Sequence, residues 1–347
     1  MIGKNIRYID LFSGIGGFRE GLARAGGFTC IGHCEIDKKA NQSYEALFDT
    51  KGEWFCEDIR KADPKGMPGF ELLCGGFPCQ SFSIAGHRGG FDDPRGTLFF
   101  EIARLTAAKR PAYLLLENVP GLLNHDGGRT FAAILHALDG LGYFVEWQVL
   151  NSKDFGVSQS RKRVYLIGYL DERCRGKVFP FTGTAGTSLV QIRPGAQGER
   201  VYSPEGVSCT LAAQTGGFGG KTGLYEVGLP IKENTKKGYK MAYPGDSINL
   251  AFAQKNTRRG RVGRKIAHTL TASSDQGTLE PLKRIRRLMP RECLRLQGWT
   301  DERIDIVLPL QSDAQLYKQA GNGVTVNVVE AIGKRLAAAH REVTAID

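Results

Sequence analysis

Ile6-Arg7-Tyr8-Ile9-Asp10-Leu11-Phe12 runs into Ser13-Gly14-Ile15-Gly16-Gly17 and then into a helical pattern from Phe18 to about Ala25. The first seven residues are apolar enough for a buried strand, and the glycines let the backbone turn before the helix. Strand, glycine turn and helix in that order begin a nucleotide-binding βαβ unit. The turn lacks GxGxxG, so the dinucleotide fingerprint is broken. The next strand-like run closes on Cys34-Glu35-Ile36-Asp37, which puts Glu35 eighteen positions after Gly17. A carboxylate at that offset takes the two hydroxyls of a ribose, the bland alternative being a helix-capping or surface acid. Asp58, in Glu57-Asp58-Ile59, ends a third candidate strand and is placed to accept from an adenine amino group. There is no phosphate-cradling GxxxxGKS/T. The pattern points to a nucleoside cofactor without pyrophosphate rather than to ATP or NAD.

Further along, Phe70-Glu71-Leu72-Leu73-Cys74 reads as a buried strand ending at a turn, Gly75-Gly76-Phe77-Pro78-Cys79-Gln80-Ser81-Phe82-Ser83. A thiol on such a turn, at the carboxyl edge of a sheet, sits where open α/β folds keep their chemistry. A polar, glycine-rich segment (86–96) and a helix from Leu98 to Lys109 follow. Ala112-Tyr113-Leu114-Leu115-Leu116-Glu117-Asn118-Val119 is then a buried strand ending in a carboxylate, which is costly unless paired or put to use. After a helix near 130–138 and the strand-like run 143–150, Gln159-Ser160-Arg161-Lys162-Arg163 leads into the apolar strand Val164 to Tyr169. Arginines at alternate strand positions project to the same side and suit a phosphate or carboxylate, or simply a charged strand edge.

From about residue 180 the texture changes to glycine, threonine and charge, in short strands and loops. The chain has 347 residues and a net charge of +11. Residues 181–280 hold 13 Lys and Arg against seven Asp and Glu, and 281–303 hold seven against three, so nearly all the excess falls in one third of the chain. Such concentration points to a polyanionic partner, nucleic acid foremost. The densest run is Lys255-Asn256-Thr257-Arg258-Arg259-Gly260-Arg261-Val262-Gly263-Arg264-Lys265, whose alternative reading is a solvated loop. Cys209-Thr210-Leu211-Ala212-Ala213 recurs weakly as His268-Thr269-Leu270-Thr271-Ala272. Arg286 to Gly298 reads as a basic helix, and a final helix near 327–339 follows Gly321-Asn322-Gly323-Val324 and is apolar enough to pack on the first domain. Eight scattered cysteines fit a reducing compartment, Cys30, His33 and Cys34 match no metal spacing, and no segment has transmembrane length or a signal-peptide layout.

Together these stretches resemble the cytosine-C5 DNA methyltransferases, nearly throughout the chain and in the family's motif order. Asp10-Leu11-Phe12-Ser13-Gly14-Ile15-Gly16-Gly17-Phe18 resembles the first cofactor motif, Gly76 to Ser83 the catalytic loop, Glu117-Asn118-Val119 the acidic motif and Gln159 to Arg163 the arginine motif. Arg287-Leu288 with Glu292 and Leu296-Gln297-Gly298 resembles the ninth motif, and Gly321-Asn322-Gly323-Val324 the last. The resemblance implies an S-adenosylmethionine-dependent, Rossmann-like α/β domain at 1–180. It further implies a small, mostly β or irregular target-recognition domain at 181–317 and a C-terminal segment, 318–347, returning to the first domain.

It also implies the residue roles. Cys79 adds to carbon 6 of a flipped-out cytosine, Glu117 bonds N3 and the exocyclic amino group, Arg163 binds the base carbonyl or nearby backbone, and Arg161 orders the Cys79 loop. Phe12, Ser13, Gly14, Gly16, Gly17, Glu35, Ile36, Asp58, Ile59, Pro78, Leu98, Asn322, Gly323 and Val324 surround S-adenosyl-L-methionine. Gly323 stands where the family often has serine. Ser81, Ser83, Arg95, Lys255, Arg258, Arg259, Arg261 and Arg264 contact double-stranded DNA. The expected protein is a monomeric bacterial or phage modification enzyme, without metal or membrane association. It would be cytoplasmic, nucleoid-associated through DNA, and functionally matched to a restriction endonuclease. A tRNA cytosine methyltransferase is the nearest rival, disfavoured by an insert of about a hundred residues. A silent DNA-binding homologue has no need of Cys79, Glu117 and Arg163 together, and an oxidoreductase leaves the basic insert unexplained.

Overall fold

The computed structural model describes residues 5–78, 98–181 and 289–345. Between the last two it also describes the segments 191–193, 201–202, 224–225, 229–235, 238–243, 246–249, 261–263 and 276–278. The chain divides into two compact units, Met1–Thr187 with Cys209–Gly216 and Met289–Asp347, and Ser188–Ser208 with Gly217–Leu288.

The first unit is built on seven strands: β1 (Ile6–Leu11), β2 (Phe28–Cys34), β3 (Trp54–Cys56), β4 (Leu72–Gly76), β5 (Tyr113–Asn118), β6 (Phe144–Asn151) and β7 (Lys162–Tyr169). They lie in the order β3-β2-β1-β4-β5-β7-β6. The first five are mutually parallel, and β7 is antiparallel to both β5 and β6. The helices are α1 (Gly17–Ala25), α2 (Lys38–Leu47), α3 (Leu98–Lys109), α4 (Arg129–Gly140) and, after Met289, α5 (Pro290–Leu296), α6 (Asp301–Val307), α7 (Asp313–Asn322) and α8 (Val326–Thr344).

The twofold alternation of a strand sorts its apolar side chains onto two covered faces. Ile9, Leu11, Leu73, Leu114, Leu116, Val164 and Leu166 meet Phe99, Ile102 and Leu105 of α3 and Phe131, Ile134 and Leu138 of α4. On the other face Ile6, Tyr8, Leu72, Leu115, Tyr165 and Ile167 meet Phe18 and Leu22 of α1 and Val328, Val329, Ile332 and Leu336 of α8. The final helix thus packs against the first strand and helix of the chain.

Three local expectations need correction. Gly75 and Gly76 lie inside β4 rather than in a turn after it. A Cβ at Gly75 would stand 2.6 Å from the carbonyl oxygen of Leu11, and one at Gly76 would stand 3.0 Å from Oε2 of Glu117, so close approach across the sheet accounts for both. Asp58 does not end a strand: β3 stops at Cys56, and Asp58 caps a 3-10 turn, Ile59–Lys61, by accepting from the amide of Arg60. The ninth-motif helix starts at Pro290, whose fixed φ suits a first helical position, with Glu292 accepting from the amide of Met289 at 2.7 Å. Residues 286–288 lie outside the described residues.

Residues 289–317, expected with the small domain, fall in the first unit, where α5 packs on α7 and α6 on α2. The second unit holds three small sheets among the described residues. They are β8 (Gln191–Arg193), β9 (Val201–Tyr202) and β10 (Leu224–Tyr225); β11 (Leu229–Lys232) with β12 (Tyr239–Ala242); and β13 (Ser247–Asn249) with β14 (Val262–Gly263) and β15 (Gln276–Thr278). Ala242, Ile248 and Val262 form a small core there with Ile231. The repeated segments 209–213 and 268–272 lie outside the described residues.

Candidate active site

The carboxyl ends of β1, β2, β4 and β5 open into a cavity of about 790 Å³, walled on the far side by the end of α7. One end is built by the turn after β1. Phe12, Gly14 and Gly16 all take left-handed φ, +53°, +56° and +90°, so the chain reverses within a few residues. A Cβ on Gly14 would meet nothing within 4 Å, so this side of the turn is open. Glu35 Oε2 accepts from the amide of Gly14 at 2.7 Å and its Oε1 from that of Asp37 at 2.8 Å. It has no ion-pair partner among the described residues, and burial pushes its carboxyl up against those two hydrogen bonds. Each oxygen keeps lone-pair capacity for a hydroxyl donor. Ile36 beside it is 59% exposed, an unusual state for an aliphatic side chain on a cavity wall and one suited to covering a planar ring.

Asp58 also lines the cavity, but both its oxygens are engaged by Arg60 at 2.7 to 3.1 Å, and that guanidinium holds its carboxyl below the usual range. Ile59, Pro78, Leu98 and Asn322 line it as well. Five of the expected cofactor residues are packed elsewhere. The Ser13 amide donates to the carbonyl of Cys34 at 3.1 Å, and its hydroxyl is buried without a hydrogen-bond partner among the described residues. Gly16 lies under Phe48 and Tyr44, while Gly17 and Val324 lie against one another, a Cβ on Gly17 falling 2.7 Å from Cγ1 of Val324. Gly323 contributes its carbonyl to Arg161 rather than a wall to the cavity.

At the other end stands Glu117, the register partner of Gly76 on β4. Its Oε1 is 3.0 Å from Nε of Arg163, and both side chains are 13% exposed. Burial pushes the Glu117 carboxyl up, while Arg163 and then Arg161 pull it back. Arg161, two residues away on the same face, is buried and has a different task. Its Nη2 donates to the carbonyls of Gly321 and Gly323, 2.9 Å each, and burial lowers its guanidinium to about 9, with Arg163 adding to the effect and Glu117 opposing it. Arg161 therefore holds the segment after α7.

Asn118 and Gln297, in the acidic and ninth motifs, tie backbone segments of the site together. Asn118 is buried, donating from Nδ2 to the carbonyl of Phe77 at 2.9 Å and accepting from the amide of Val119 at 2.8 Å. It ties the acidic strand to the residue two before Cys79. Fully buried Gln297 donates to the carbonyl of Ala320 at 2.5 Å and accepts from Oγ1 of Thr325 at 2.9 Å, and Thr325 shares a 2.8 Å hydrogen bond with Ser152. Lys318, Gln319 and Asp37 line the cavity with no motif to announce them.

Cys79, Ser81, Ser83, Arg95, Lys255, Arg258, Arg259 and Arg264 lie outside the described residues. Arg261 is 2% exposed within the second unit, its amide donating to Glu233 Oε2 at 3.2 Å. That burial is at odds with a DNA contact from its side chain in this state. Among the described residues no helix is long and apolar enough to cross a membrane.

Five parallel strands extended by an antiparallel pair, with a cavity at their carboxyl ends, are the layout of a Rossmann-like methyltransferase. The family model of the C-5 cytosine-specific DNA methylases matches residues 6–338, and the chain belongs to that family. It is 37% identical over 343 residues to the type II methyltransferase M.HpaII of Haemophilus parainfluenzae, covering 96% of this chain and 89% of that one. It is 39% identical over 326 residues to M.NgoBI of Neisseria gonorrhoeae, covering 94% and 91%. The Dnmt2 methyltransferase structure from S. pombe superposes with a TM-score of 0.63 at 18% identity, over 98% of this chain and 99% of that one, a likeness of fold. The protein is a DNA (cytosine-5)-methyltransferase that uses S-adenosyl-L-methionine. The open Gly14 face, the unpaired Glu35 carboxylate and the exposed Ile36 fit that cofactor's nucleoside.

Proposed function

We propose that this enzyme methylates one cytosine within a short DNA sequence, as a type II modification enzyme of bacterial or phage origin, through a covalent Cys79 adduct. The relatives reported above support the type II reading. The observation that carries the chemistry is the buried Glu117–Arg163 pair, side by side with β4 three residues before Cys79.

Carbon 5 of cytosine is too weak a nucleophile to take a methyl group directly. Addition of the Cys79 thiolate at carbon 6 makes carbon 5 enamine-like, with negative charge building toward N3. A carboxyl whose protonated form is favoured by burial donates to N3 as that charge develops. Burial shifts Glu117 toward that condition against the pull of Arg163, which orients the carboxyl and has further donors for the base carbonyl. Asn118 fixes the stem of the Cys79 loop relative to Glu117, and Arg161 fixes the segment carrying Asn322. Glu35, Ile36, Phe12 and Asn322 would hold S-adenosylmethionine, which supplies an activated methyl group on its sulfonium sulfur. A base or a water then takes the carbon 5 proton, the carbon 5–carbon 6 double bond re-forms, and the carbon 6–sulfur bond breaks to return the Cys79 thiolate. Because carbon 6 is covered in a stacked duplex, the base must be flipped out.

The second unit reads as the target-recognition domain, the excess positive charge of residues 181–280 suiting the DNA phosphates, with a restriction endonuclease as functional counterpart. Bisulfite sequencing of unmethylated genomic DNA, after incubation with enzyme and S-adenosylmethionine, tests the proposal. Protected cytosines confined to one short motif support it. Absence of protection with the cofactor bound refutes it and redirects the search to RNA.

A further inference from the structure

We propose that Lys318 is a positioning residue for the cofactor, acting through Asp37 on the wall that carries Glu35 and Ile36. The inference rests on the reading of the cavity as the S-adenosylmethionine site. Lys318 on α7 and Asp37 at the start of α2 are 281 residues apart in sequence and both line the cavity. Lys318 Nζ donates to Asp37 Oδ2 at 2.6 Å, with the side chains 47% and 27% exposed.

Asp37 is tied on every side. Its Oδ1 caps α2, accepting from the amides of Lys39 at 2.9 Å and Ala40 at 3.3 Å. Its own amide donates to Glu35 Oε1 at 2.8 Å, and Glu35 Oε2 accepts from the amide of Gly14 at 2.7 Å. A continuous run of polar contacts thus leads from Lys318 through Asp37 and Glu35 to the glycine turn. Ile36 sits between the two carboxylates with its side chain exposed, so its own packing does little to place it and its neighbours must. The next residue of α7, Gln319, reinforces the joint by donating to the carbonyl of Lys39 at 3.1 Å and accepting from Ser43 Oγ at 3.2 Å.

The charges around the cavity favour a specific rather than an incidental pair. Glu117 has Arg163, Asp58 has Arg60, and Glu57 has Lys38 at 3.7 Å, so each of these carboxylates has a cation from the N-terminal part of the same unit. Only the Asp37 cation, among the described residues, arrives from the C-terminal segment and links two walls of the cavity. A partly exposed pair supports a modest effect, and about a fivefold change in affinity is near its upper end.

The test is calorimetric titration of S-adenosylmethionine into the full-length wild type and the variants Lys318→Met, Lys318→Arg, Asp37→Asn, the Met/Asn double variant and Glu35→Gln, with thermal unfolding alongside. Asparagine preserves the helix cap while removing the charge. Lys318→Met and Asp37→Asn should each weaken binding about fivefold at low ionic strength with little change in melting temperature, and the double variant no more than either. Lys318→Arg should bind as the wild type does. Raising the ionic strength should narrow the difference between the wild type and the variants. Wild-type affinity in Lys318→Met, or additive losses in the double variant, overturns the inference. Glu35→Gln separates the two levels of argument. If it binds as the wild type does, the cavity reading itself fails; if it binds weakly while Lys318→Met is unaffected, only the role of Lys318 is lost.

Discussion

Arg163→Leu is the perturbation whose consequence can be worked furthest. It leaves the Glu117 carboxyl buried without the cation that now stands 3.0 Å away, in a site where both side chains are 13% exposed. The gross attraction of two unit charges at that separation is about 5 kcal/mol at an effective dielectric of 20. Much of it is offset by desolvation, and breaking a buried pair costs about 3–5 kcal/mol. Arg161 persists as a second cation nearby, so the lower end, about 3 kcal/mol, is the expected loss at pH 8. The loss must also depend on pH. Burial already raises the Glu117 carboxyl above its unfolded value, and removing Arg163 raises it further. Below about pH 4 the group is protonated in both folded and unfolded chains and contributes nothing. As pH rises, the unfolded chain releases the proton first, and the variant holds it to a higher pH than the wild type. The deficit therefore grows with pH and vanishes in acid. Urea unfolding of the ligand-free proteins should show a difference of about 1 kcal/mol or less near pH 5, widening to about 3 kcal/mol at pH 8. An equal loss at both pH values would refute the reasoning, because it would mean that Arg163 acts by packing alone.

Three further outcomes follow from single side chains. Gly21→Ala puts a methyl group where the nearest atoms are Val329 Cβ at 2.6 Å and the Val326 carbonyl at 2.8 Å, so α1 and α8 must part. About 1–3 kcal/mol should be lost, seen as a melting temperature lower by several degrees, and an unchanged melting point counts against the close approach. Asp10 is fully buried and its carboxyl is pushed up to about 8 by desolvation, with Arg19 opposing. The native state keeps a proton that the unfolded chain loses near pH 4, so this group lowers stability by about 1.4 kcal/mol per pH unit up to its folded value. Asp10→Asn should flatten the stability profile between pH 5 and 8 and exceed the wild type at the upper end; a wild-type slope would exclude Asp10 as its source. Cys79→Ser should abolish methyl transfer while DNA binding, followed by gel shift, is retained, and turnover near the wild-type rate would end the covalent proposal.

The fold was legible where burial on both faces leaves an unbroken apolar run. Leu114 to Leu116 and Val164 to Ile167 have no polar member and are buried, as inner strands must be. What could not be read was that β7, later in the chain than β6, inserts between β5 and β6. Both strands are rich in apolar residues, and the difference lies in β6, where Glu146 and Gln148 alternate with Trp147 and Val149 while Phe144 and Trp147 are 38% and 45% exposed. That alternation is the mark of an edge strand. Gly75 and Gly76 misled for a related reason: a glycine required because another backbone or a carboxylate comes close is indistinguishable, in one sequence, from a glycine required by a turn.

The site was legible to the extent that a charge at the end of an apolar strand demands an explanation. Glu117 could be singled out because leaving it buried and unpaired is expensive, and Arg161 and Arg163 because they alternate at the entry of an apolar strand. Spacing along the strand suggested that the two arginines act on one ligand, since alternate residues share a face. The structure divides them: Arg163 meets a carboxylate 46 residues upstream, and Arg161 meets two carbonyls at the end of α7. The last carbonyls of a helix lack intrahelical donors, and a cation near them is favoured. That demand is written at residues 321–323 and its answer at residue 161, and neither spacing nor periodicity connects the two. The same holds for Lys318 and Asp37, and for Gln297 and Thr325. A buried polar residue creates a demand for a partner, whereas the fold alone decides which group meets it. In this enzyme those decisions converge on the segment between α7 and α8, so that the last motif is placed by residues drawn from the arginine strand and the ninth motif before any ligand arrives.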